Sequence, residues 1–62
     1  MSKYEIKVKV RRASTVDNYF HTVQGRSYWS IRREGIEITD LKGHEFFYPH
    51  FTVIRMVVKK VN

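Results

Sequence analysis

Lysine or arginine stands at every second position from residue 7 to residue 11, so Lys7, Lys9 and Arg11 share one side of any extended segment. Side chains two apart on a strand lie about 7 Å apart on one face. At that spacing a row of cations meets successive phosphates of a polyanion. The chemistry is electrostatic: each contact neutralises a phosphate and releases a counterion. Arg12 extends the row, and Lys59 and Lys60 join it if the last strand pairs antiparallel with the first. Arg55 would then approach the far end. The plainer use of such a row is to keep an outer strand face solvated and to guard a sheet edge. Both readings stand.

The stretch SYWSIRR, residues 27 to 33, offers a second chemistry. Trp29 beside Tyr28 and the Arg32-Arg33 pair would make a base-stacking platform with phosphate clamps. In a domain poor in core residues Trp29 is more useful inside, which leaves Tyr28 as the outward aromatic, with Arg26, Arg32 and Arg33 around it. Phe46, Phe47, Tyr48 and Phe51 cannot all point inward along one strand. Core is preferred for most of them, and any exposed pair would be an interaction patch.

Other chemistries lack their residues. Zinc takes four closely spaced ligands, usually with cysteine, whereas His21, His44 and His50 are scattered and there is no cysteine. No metal or other cofactor is expected. The serines fall in turns and no two carboxylates stand as an acid/base pair, so no catalytic residue is assigned. An enzyme is not expected.

The chain that must position these groups has 62 residues, enough for one small domain. Twelve Lys and Arg against six Asp and Glu give a net charge of +6, a field that draws nucleic acid or an acidic partner. The opening MSKYEIKVKV has no apolar run long enough for a signal peptide, and no stretch would span a membrane. With cysteine absent, a cytoplasmic location is expected.

Period two is perfect over eight residues, which predicts the first strand at about residues 3 to 12. ASTVDN reads as a turn or short connection. Residues 15 to 24 admit either a strand or one short helix; Val, Tyr, Phe, His and Thr are poor helix formers, so the strand is preferred. Strands are then predicted over SYWSIRR with Trp29 and Ile31 inward, over GIEIT with Ile36 and Ile38 inward, over HEFFY, and over TVIRMVVKKV. Asp40-Leu41-Lys42-Gly43 has the residue order of a type I turn. Pro49 ends its strand because it cannot donate to a ladder. Five or six short antiparallel strands in one meander predict an all-β domain, residues 1–62, rolled into a small barrel. The Pro49-His50-Phe51 break before a final strand resembles the layout of SH3-like barrels, and an OB-like barrel is the alternative.

Two functions fit these residues. The first is a weakly sequence-specific nucleic-acid-binding domain, DNA or RNA, that contacts phosphates through Lys7, Lys9, Arg11, Arg12, Lys59 and Lys60, with Arg26, Tyr28, Arg32 and Arg33 at the border. In size, charge and layout the chain resembles the small basic chromatin proteins of archaea, which implies a sheet laid on DNA. The second is a protein-interaction module, similar to accessory proteins of bacteriophages and mobile elements, steered by its cations onto an acidic protein partner. The last strand would supply its contact through Val53 and Val57, or would pair with a second copy to give a homodimer. No membrane partner is expected.

Overall fold

Alternation along YEIKVKVRR builds the strand it predicts. In the computed structural model, which describes residues 2–61, β1 runs Tyr4–Arg12 with Ile6, Val8 and Val10 fully buried. Each such side chain contributes about 1.5–3 kcal/mol on leaving water. Five further strands follow: β2 (Thr15–Val23), β3 (Trp29–Ile31), β4 (Gly35–Thr39), β5 (Glu45–Pro49) and β6 (Val53–Lys60).

The expected connection ASTVDN shrinks to two residues. Ala13 and Ser14 turn the chain, Ala13 taking φ 53°, and Thr15 Oγ1 donates to the Arg12 carbonyl at 2.9 Å. From Thr15 onward β2 pairs with β1 residue for residue, Arg12 with Thr15 through to Tyr4 with Val23. The helix entertained for residues 15 to 24 does not form. Its β-branched and aromatic residues fit the pleat better than a helix, and nine paired residues satisfy the backbone.

The strand expected over residues 27 to 33 is shorter than predicted. A 3₁₀ turn takes Arg26–Tyr28 and Arg32 enters the next turn, its amide donating to the Gly35 carbonyl at 2.8 Å. Only Trp29–Ile31 remains extended. Ile31, expected inside, is 65% exposed at the end of this short edge strand. Ile36 and Ile38 on β4 are buried as the alternation predicts.

The turn expected at Asp40-Leu41-Lys42-Gly43 is present. Asp40 Oδ1 accepts from the amides of Lys42 and His44, both at 2.9 Å, and Gly43 adopts φ 84°. Pro49 ends β5, and a 3₁₀ turn, His50–Thr52, carries the chain to β6.

The strands do not close into the predicted SH3-like or OB-like barrel. They form two antiparallel sheets, ordered β2-β1-β6 and β3-β4-β5. Three-residue β3 is too short to continue the ladder from β2, and the two 3₁₀ turns move the chain from one sheet to the other without extending either. The inner faces share one core of Ile6, Val8, Val10, Val23, Ile36, Ile38 and Tyr48. Around it pack Tyr4, Tyr19, Trp29, Phe46, Val53, Met56 and Val58, with Tyr4 edge-on to Trp29 at 5.2 Å. Among the described residues no helix is long and apolar enough to cross a membrane.

Candidate nucleic-acid interface

With one face of β1 spent on the core, pleating sends Glu5, Lys7, Lys9 and Arg11 to the other. Antiparallel pairing decides what stands beside them. On β6, Lys59 faces Glu5, Val57 faces Lys7 and Arg55 faces Lys9. A bulge at this point makes Ile54 an extra residue, because Val10 next pairs with Val53. On β2, Thr22, Phe20, Asn18 and Val16 face Glu5, Lys7, Lys9 and Arg11 in turn.

The open face therefore reads as three columns. The middle column is cationic, the β6 column holds Arg55 and Lys59 around Val57, and the β2 column is uncharged. Five cations share this face with one carboxylate, Glu5. The ion pairs among the described residues lie elsewhere, between Arg32 and Glu37 at 2.6 Å and between His44 and Asp40 at 3.5 Å. Lys7, Lys9, Arg55 and Val57 line a shallow depression of about 230 Å³. Phe20 is 62% exposed, with the Lys7 ammonium 5.9 Å from its ring centre.

The predicted set divides in the structure. Lys7, Lys9, Arg11 and Lys59 come together, joined by Arg55. Arg12 and Lys60 pair with Thr15 and Tyr4, so they belong to the opposite face of the same sheet, at its two ends. Arg12 lies 5.6 Å from the Tyr19 ring. Arg26 and Tyr28 sit in the first 3₁₀ turn, while Arg32 and Arg33 occupy the β3–β4 turn, all outside the β2-β1-β6 sheet. Trp29 is packed against Tyr4 rather than open for stacking.

Phe20 and Val16 are not singled out by their types, and Val57 is expected only as a protein contact. The signal for them is register: a two-residue turn after Arg12 sets Phe20 opposite Lys7.

The histidines do different work. His21 is buried and hydrogen-bonded through Nε2 to the Tyr48 hydroxyl at 2.5 Å. Burial lowers its pKa below the ordinary 6.5, against a smaller upward pull from Asp40. Burial also raises the Tyr48 phenol above its ordinary value, with Tyr19 adding and Arg12 opposing. For Asp40, desolvation acts upward, but the amides of His44 and Lys42 and the neighbouring His44 and His21 outweigh it and lower its pKa. His50 Nε2 meets the Arg32 carbonyl at 2.5 Å. Among the described residues no three His, Asp or Glu side chains gather as metal ligands would.

No family model matches this sequence, and neither a curated protein nor a solved structure matches it.

Proposed function

We propose that the protein is a non-enzymatic nucleic-acid-binding domain that holds phosphates on the outer face of the β2-β1-β6 sheet. The observation that carries this reading is the gathering of Lys7, Lys9, Arg11, Arg55 and Lys59 on one open face with Glu5 as its single acid. Two segments far apart in the chain contribute to it, and among the described residues no cation on it is tied up in an ion pair. Contacts of this kind position a polyanion without reading its sequence, so binding is weakly specific.

Salt titration of binding to a random oligonucleotide tests the proposal. Four to five engaged cations give a log–log slope of about −4 on duplex DNA, or about −3 on a single strand. Absence of binding at low ionic strength sinks it.

A second reading rests on a different feature. Phe51 is 90% exposed, and β2 and β6 are open edges of their sheet. An acidic protein partner, or a second copy added along β6, would cover apolar surface and satisfy backbone groups at once. Concentration-dependent sedimentation without nucleic acid distinguishes this case.

A further inference from the structure

Phe20 borders two surfaces of opposite character. On one side lies the cationic column of β1, with Lys7 directly opposite. On the other is a groove of about 490 Å³ between β2 and the β4–β5 turn, lined chiefly by Tyr19, Phe20, His21, Leu41, His44 and Phe46. Its two walls are tied to each other by the Leu41 amide, which donates to the Thr22 carbonyl at 3.1 Å. The groove is wide and largely open to solvent. Its charge differs from that of the sheet face: Asp40 stands in its wall with its pKa lowered, and Lys42 is the one lysine there.

We propose that this groove, with the Phe20 ring as its lip, takes a base of a single-stranded nucleic acid whose phosphates run along Lys7, Lys9 and Arg11. The proposal rests on the phosphate-binding reading of the sheet and names its ligand more narrowly.

Three features direct it to a single strand. Cations on the sheet lie on one side of Phe20 only, whereas an apolar wedge in a duplex step is flanked by two backbones. Asp40 and Lys42 offset each other in the groove, so it lacks the positive excess of the sheet face, and the charged and aromatic parts of a nucleotide are sorted to opposite sides of the ring. An exposed aromatic beside a cationic track is the arrangement on which successive bases stack, and it tolerates any base. His21 packs at a tilt against Phe46 with ring centres 4.4 Å apart, so two aromatic rings line the groove.

The test uses the full chain and fluorescence anisotropy with labelled oligomers of about twelve nucleotides. The ligands are oligothymidylate, oligouridylate, an abasic deoxyribose-phosphate oligomer, and a duplex of equal length. Tighter binding of either homopolymer than of both the duplex and the abasic oligomer supports the proposal, and the tighter homopolymer tells DNA from RNA. Phe20→Ala is expected to weaken homopolymer binding about five- to a hundred-fold. It should leave abasic binding unchanged, and Phe20→Trp should restore the loss. Leu41→Ser, on the opposite wall, should reproduce the selective loss if Phe20→Ala disturbs folding. Equal affinity for abasic and base-bearing strands overturns the proposal while leaving the phosphate face intact. No binding of any of the four ligands removes the phosphate reading itself, and this proposal with it.

Discussion

Lys9 and Arg55 are direct cross-strand partners on the open face of β1 and β6. Like charges placed opposite each other destabilise a sheet, and among the described residues no carboxylate pairs with either of them. A polyanion lying across the two strands would relieve that repulsion, so stability and binding should move in opposite directions here. Lys9→Thr is expected to raise unfolding free energy by a few tenths of a kcal/mol at low salt. The gain should shrink as salt rises, while nucleic-acid affinity falls. Urea unfolding at two ionic strengths, alongside anisotropy, checks both halves.

Gly35 is buried where β4 passes β5, and an added Cβ would collide with the Tyr48 carbonyl oxygen and press on the Phe47 ring. Backbone on that side cannot yield as a side chain does. Gly35→Ala is expected to destabilise the domain by about 1–3 kcal/mol. Gly25 has open space around it and an extended backbone, φ −175°. Gly25→Ala should be neutral or slightly stabilising, and thermal melts of the two variants make the comparison.

Ala13 holds a left-handed φ of 53° in the two-residue turn between β1 and β2. For a residue with a Cβ that conformation costs about 1–2 kcal/mol. Ala13→Gly removes the strain but adds freedom to the unfolded chain, worth about 0.5–1 kcal/mol the other way. A net gain of up to about 1 kcal/mol is expected in denaturant unfolding.

His21 ties stability to mild acid. Burial lowers its pKa below 6.5, only partly offset by Asp40, so the folded state holds it neutral while the unfolded chain takes up a proton. Its contribution is complete above the unfolded value of 6.5 and is lost as pH falls through the lower folded value. Unfolding midpoints should therefore drop as pH falls below 6.5, and His21→Phe should flatten that segment of the profile. An unchanged slope in the variant would assign the acid sensitivity to other groups.

The two ends of β1 show what a sequence can carry. From Tyr4 to Arg12, period two admits one arrangement, with the aliphatic row inside and the cations outside, because slipping by one residue would bury the charges. The antiparallel pairing of first and last strands is only a condition in the sequence, yet it is present without barrel closure and brings Lys59 and Arg55 to the basic row. Residues 15 to 24 are harder, since their apolar positions suit two periods and only the nine-residue ladder with β1 decides between them. Barrel closure fails for a related reason: Arg26–Tyr28 curls into a 3₁₀ turn, and nothing in SYWSIRR marks where extension stops. Phe20 shows the limit for a site. Its place beside Lys7 depends on the length of a turn six residues away, which residue type alone does not reveal.

Charge placement, rather than net charge, is the centre of this account, and two triple variants separate them. Lys7→Ser/Lys9→Ser/Arg11→Ser and Arg26→Ser/Arg32→Ser/Arg33→Ser each remove three positive charges, the first from the open sheet face and the second from elsewhere. Circular dichroism melts establish that both fold, and salt titration of oligonucleotide binding is then compared with the wild type. The sheet-face variant should lose most of its affinity, with a log–log slope shallower by about 2 on a single strand, while the other stays close to wild type. Equal losses in the two variants would contradict the assignment, since binding would then follow the overall field and not this face.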